Sequence, residues 1–143
     1  MPCNVYGPGD HFEFKRSPVV SALVRRFVEG RRLNARVLAL WGTGSARREL
    51  LRVDDLSDAR LFLLQHYDLP DIVSIGSGED ITIRELAEAV ARIVGHVGEL
   101  EWDRAKPVGT PQKLLDVSRL RALGWRQTVE REEGIQIAVD DLD

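Results

Sequence analysis

Within 143 residues, the side chains best suited to chemistry gather between Val37 and Asp55, VLALWGTGSARRELLRVDD. Trp41 leads into Gly42-Thr43-Gly44-Ser45; Arg47 and Arg48 open a second apolar run, and Asp54 and Asp55 close it. A flat ring beside permanently charged planar groups suits a base or sugar next to a phosphate, because a guanidinium donates two parallel hydrogen bonds to phosphate oxygens. The adjacent aspartates admit two readings: paired carboxylates for acid–base work, or caps at a strand-to-helix junction. The pattern predicts two short strands joined by a polar turn, delivering Trp41, Arg47 and Arg48 to one end.

The elements that must hold these residues follow from periodicity. Cys3 to Tyr6 reads as the end of a strand entering the Gly7-Pro8-Gly9-Asp10 loop. Val20, Leu23, Val24, Phe27 and Val28 recur at helical spacing, which predicts a helix from about Val19 to Gly30 with Ser17 and Pro18 at its start. Asp54 or Asp55 is expected to cap a helix reaching about His66. Residues 72–75 read as a short strand, and Thr82-Ile83-Arg84-Glu85 is a capping box with Ile81 and Leu86 as its hydrophobic staple, opening a helix that Gly95 stops. A strand over residues 100–102, an extended loop over residues 106–111 and two final helices, near residues 118–123 and from about Val129, complete an α/β chain without repeats.

Composition bounds the function classes. The length predicts a single domain, 1–143. No apolar run reaches membrane-spanning length and the first residues lack signal-peptide character, so no membrane partner is expected. One cysteine, Cys3, excludes an internal disulfide and fits a reducing, cytoplasmic setting. Residues 1–60 carry 11 Lys/Arg against 7 Asp/Glu, and the remainder 9 against 16. Most of these charges read as solvated faces, and a pI near 5.7 without a basic stripe argues against nucleic acid.

Several familiar chemistries are missing. There is no G-x-G-x-x-G, no P-loop lysine and no G-x-S-x-G elbow. Gly42-Thr43-Gly44 and Gly76-Ser77-Gly78 are short fragments that read as turns. His11, His66, His96 and Cys3 are too dispersed for a local metal site.

Six stretches in order carry a resemblance: Asn4-Val5-Tyr6-Gly7-Pro8, Trp41-Gly42-Thr43-Gly44, Arg48-Glu49 with Val53-Asp54-Asp55, Ile75-Gly76-Ser77-Gly78, Thr82-Ile83-Arg84-Glu85-Leu86, and Lys106-Pro107-x-Gly109-Thr110-Pro111-x-Lys113-Leu114-Leu115-Asp116. Together they resemble the C-terminal, substrate-binding portion of extended short-chain dehydrogenase/reductases of the NAD-dependent epimerase/dehydratase family that act on nucleotide sugars. Within that group the chain is most similar to the GDP-L-fucose synthases, NADP-dependent GDP-4-keto-6-deoxymannose epimerase/reductases. The resemblance implies a partial extended fold without the N-terminal Rossmann half. It places Arg26, Trp41, Arg48 and Lys113 on the GDP-sugar site, and Pro2, Cys3, Asn4 and Val5 beside the nicotinamide of the cofactor.

The departures from that family are specific. Reduction there uses a Tyr-x-x-x-Lys pair, whereas Tyr6 is followed four residues on by Asp10 and Tyr67 by Asp71. Pro18 stands where the family has a histidine that serves epimerisation, and Val108 where it has a substrate-contacting aspartate. A complete parent is expected to epimerise and then reduce its 4-keto sugar with NADPH; the chain alone is expected to hold no cofactor and turn nothing over. Two readings stand: the substrate-binding part of such an enzyme, or a free-standing binding module or remnant. The abrupt opening strand leaves an edge to be completed by a preceding segment or by a second copy in a homo-oligomer.

Overall fold

The computed structural model describes residues 1–10 and 18–142. The elements in chain order are β1 (Asn4–Tyr6), α1 (Val19–Arg32), β2 (Val37–Trp41), β3 (Arg47–Arg52), α2 (Val53–His66), β4 (Asp80–Thr82), α3 (Ile83–Val94), β5 (Glu99–Asp103), β6 (Gln112–Lys113), α4 (Ser118–Ala122) and α5 (Arg131–Asp140). This is an α/β fold of short strands and, among the described residues, five helices.

The strand β3 organises the molecule. Its first half lies between antiparallel β4, with Arg48 opposite Ile81, and parallel β6, with Arg48 opposite Lys113. Its second half pairs in parallel with β1, Asn4 through Tyr6 facing Leu50 through Arg52. Because successive strand residues point to opposite faces, Leu50 and Leu51 enter different cores. Leu50 joins Tyr6, Phe27, Leu40, Leu86, Val90 and Ile135, packed among α1, α3 and α5. Leu51 joins Leu56, Ala59, Val73, Ile75, Leu120 and Trp125 on the α2 side.

Local chemistry explains both boundaries of α3. The capping box opening α3 is present: the Thr82 hydroxyl accepts from Glu85 N at 3.1 Å, and Glu85 Oε2 accepts from Thr82 N at 3.0 Å. Gly95 ends that helix in the left-handed region at φ 77°, which costs glycine no Cβ clash. On α1 the predicted apolar stripe is buried and the helix runs to Arg32. Its N-cap is Pro18, without a side-chain cap bond; Ser17 and His11 lie outside the described residues.

Four sequence expectations need correction. β2 and β3 do not pair with each other; β2 pairs with β5 in a separate two-stranded sheet, Trp41 opposite Asp103. The stretch at residues 72–75 is reduced to a single bridge, Pro2 to Ile75, while β4 and β6 form where no strand was expected. Neither aspartate caps α2, whose N-cap is Arg52. Asp54 instead pairs with Arg52 at 2.6 Å. Asp55 is fully buried and accepts from Thr128 N at 2.9 Å, Thr128 Oγ1 at 2.7 Å and Val129 N at 3.2 Å, tying α2 to the loop before α5. An isolated carboxylate cannot be buried cheaply, and three donors from a distant loop satisfy it better than one helix turn would.

Candidate functional site

Trp41 ends β2 on the outward side of its alternation, where Leu38 and Leu40 are buried and Val37, Ala39 and Trp41 are exposed. The ring is 59% exposed and so is not a core residue. Lys106 Nζ stands 5.6 Å from the ring centroid, a cation over an aromatic face. Arg26, on α1, donates through Nη1 to the Ala39 carbonyl and is thereby tied to the strand that delivers Trp41.

Residues 106–111 form a strap from Trp41 to Arg48. At one end Gly42, at φ 79°, receives Val108: a Cβ on Gly42 would lie 3.4 Å from Val108 Cα. At the other, Arg48 Nη1 donates to the carbonyls of Arg47 and Thr110, each at 2.7 Å, and Arg47 N donates to the Pro111 carbonyl at 2.8 Å. The strap leads directly into β6, whose register sets Lys113 beside Arg48. Trp41, Arg48 and Lys113 are thus joined by one continuous segment, with Arg26 reaching them through β2. Neither Arg48 nor Lys113 is paired with a carboxylate among the described residues; Arg48 is half-buried against backbone carbonyls and Lys113 is exposed. Arg47, delivered to the same end as Arg48, is half-exposed and held by Asp80 at 2.7 Å.

Two residues escaped the sequence reading. Lys106 lay within a quoted motif but carried no sign that it would cover Trp41. Glu49 is fully buried, with Oε1 accepting from Gly78 N at 2.7 Å and Oε2 from Leu115 N at 2.9 Å. A charge between Arg48 and two leucines was the available signal.

Around β1, polar groups are already engaged inside the chain. Cys3 N donates to the Ile75 carbonyl at 3.2 Å and Asn4 Nδ2 to the Glu49 carbonyl at 2.9 Å; Pro2 bridges Ile75 and Val5 sits opposite Leu51. Burial, followed by the nearby Glu49 charge, pushes the Cys3 thiol up to about 12. Burial likewise holds the Tyr6 phenol at about 12, and its hydroxyl lies where a side chain on Gly134 would stand, 2.0 Å from that Cβ position. Pro2, Cys3, Asn4 and Val5 thus form a wall in which Cys3 N and the Asn4 amide already donate within the chain.

A cavity of about 570 Å³ lined by Arg31, Asn34, Arg36, His96 and Glu99 also includes Val37, the opposite end of β2 from Trp41. The Trp41–Arg48 site lies apart from that cavity. Among the described residues no group of three or more His, Cys, Asp or Glu could hold a metal ion, and no helix is long and apolar enough to cross a membrane.

Residues 1–76 match the NAD dependent epimerase/dehydratase family. GDP-L-fucose synthase 1 of Arabidopsis thaliana is 50% identical over 140 residues, covering 98% of this chain and 43% of the plant protein. GDP-L-fucose synthase of Escherichia coli (strain K12) is 41% identical over 144 residues, covering 94% of this chain and 45% of that protein. Among solved structures, the GDP-mannoheptose C4 reductase from Campylobacter jejuni with NADP bound superposes with a TM-score of 0.84 at 28% identity, over 99% of this chain and 51% of the reductase. The chain thus spans roughly two-fifths of the length of these curated relatives and half of that solved structure.

Proposed function

Because this chain belongs to the NAD-dependent epimerase/dehydratase family, we propose that it is a single domain, 1–143, that holds the nucleotide diphosphate of a GDP-sugar for a GDP-L-fucose-synthase-like enzyme. The observation that carries this reading is the side-by-side placement of Arg48 and Lys113 at the end of a strap that begins with Lys106 over the exposed Trp41 ring. Two cations in register suit a diphosphate, with guanidinium donors able to exchange a carbonyl for a phosphate oxygen. An exposed ring beside them gives the base or sugar a flat apolar contact, and Arg26 extends the positive wall along β2.

In this reading the chain binds and orients, and a nicotinamide held by further polypeptide supplies hydride. Tyr6 is packed against Gly134 rather than presented to a substrate, and no lysine follows it at the required spacing. Pro18 and Val108 weaken the case for epimerisation, since neither side chain can move a proton or accept a hydrogen bond. Isolated, the 143 residues are expected to leave NADPH unoxidised in the presence of a GDP-4-keto sugar.

Calorimetric titration of the chain with GDP, compared with Arg48→Ala, tests the binding role. Loss of a charge-assisted contact predicts affinity lower by about tenfold or more. Equal affinities for the two proteins would remove Arg48, and with it the site, from consideration.

A further inference from the structure

A buried glutamate in the middle of the strand that carries Arg48 calls for a physical reason. Burying a carboxylate is costly unless both oxygens are satisfied. Glu49 meets that condition with two backbone amides from separate segments, Gly78 N on Oε1 and Leu115 N on Oε2, at 2.7 and 2.9 Å. The fit is close enough to dictate a neighbour: a Cβ on Gly76 would lie 2.2 Å from Oε1. A side chain at Gly76 is therefore excluded by contact with Glu49 rather than by a left-handed backbone.

The Leu115 contact bears on the site. β6 contains only Gln112 and Lys113, and two residues of pairing do not fix a register by themselves. The segment is held on both flanks instead: before it by Arg47 N to the Pro111 carbonyl at 2.8 Å, after it by Leu115 N to Glu49. The Lys113 side chain is exposed and makes no ion pair among the described residues, so its place depends on its backbone. Glu49 and Arg48 are adjacent on β3, which makes one strand both the cation's support and the anchor of its neighbour.

Resting on the nucleotide-diphosphate reading above, we propose that Glu49 is a positioning residue for substrate binding: by gripping Leu115 N it sets Lys113 beside Arg48, so that both cations meet the same diphosphate. The residue touches no ligand. It acts by holding β6 against β3 at the point where the strap returns.

A double-mutant cycle tests this with GDP as the probe, each variant first shown to be folded by circular dichroism. Lys113→Ala is expected to weaken GDP binding about fivefold in the wild-type background. In Glu49→Gln, whose amide must turn a donor toward one of the two backbone N–H groups, Lys113→Ala is expected to change affinity by less than about twofold. Trp41→Ala should keep its full cost in both backgrounds, an outcome that general loosening of the fold would not give. Glu49→Asp keeps the charge but is too short to span both amides, and it carries the same cycle should the amide variant fail to fold. Equal losses from Lys113→Ala in both backgrounds would overturn the positioning role alone. No loss in the wild-type background would overturn it together with the nucleotide-diphosphate reading.

Discussion

Replacing Asp55 by alanine distinguishes a helix cap from a clamp between distant segments. As a cap, the side chain would contribute about 1 kcal/mol. In the fold it is 1% exposed and accepts three hydrogen bonds from Thr128 and Val129, across more than seventy residues of sequence. Asp55→Ala would take the shared acceptor from two backbone N–H groups and a hydroxyl on the exposed Thr128 and the half-buried Val129. At roughly 1.5–3 kcal/mol for each hydrogen bond to a charged acceptor, discounted because water can reach the Thr128 donors, the expected cost is about 3–5 kcal/mol. That is a large part of the roughly 5–15 kcal/mol that a domain possesses. With a urea m-value of about 2 kcal/mol/M, the unfolding midpoint should fall by about 1.5–2.5 M. Asp55→Asn, which keeps one acceptor oxygen, should fall between this variant and the wild type. A midpoint shift of about 0.5 M or less for Asp55→Ala would mean that Asp55 does no more than an ordinary cap, and would refute the clamp.

Other predictions follow from packing and ionisation. Gly134→Ala places a Cβ 2.0 Å from the buried Tyr6 hydroxyl; overpacking should outweigh the gain in helix propensity and give a net loss of about 1 kcal/mol or more, largely relieved in a Tyr6→Phe background. Urea midpoints of the two single variants and the double variant check the coupling, and additive effects would count against the contact. The raised Cys3 and Tyr6 values give an alkaline dependence with a definite sign. The unfolded chain ionises first, near 9 and 10, so stability is complete below those values and declines toward pH 12, by up to about 1.4 kcal/mol per pH unit for Tyr6 and by less for the half-buried Cys3. Unfolding midpoints from pH 8 to 11.5 should steepen above pH 9, and Cys3→Ala should flatten the portion between pH 9 and 10. A midpoint independent of pH across that range would contradict both burial assignments. The same burial should make Cys3 slow to react with a thiol reagent at neutral pH while the chain is folded.

The helices were the most legible part of the chain. The apolar spacing of α1 and the capping box of α3 are local signals, read from side chains within a few residues of one another, and both hold in the fold. The strands were less legible. Val37–Trp41 was recognisable as a strand, yet its partner is Glu99–Asp103 rather than the neighbouring Arg47–Arg52, because pairing is decided by contacts far apart in sequence. The six ordered motifs carried the family, whose match to residues 1–76 bears out that resemblance. The same motifs did not disclose how Arg48 and Lys113 meet.

The family resemblance added Arg26 and Lys113; from the residues alone came the α/β class, the major helices, and Trp41 and Arg48 as side chains suited to a base or sugar beside a phosphate. Periodicity and side-chain chemistry determine these, since both act over short stretches of chain. Tertiary structure decided the rest. It turned Asp55 from a cap into a clamp, exposed Trp41 beneath Lys106, and buried Glu49 between Gly78 and Leu115. A buried carboxylate takes whatever donors the fold brings within 3 Å, and for Asp55 and Glu49 most of those lie dozens of residues away, where no local pattern could announce them.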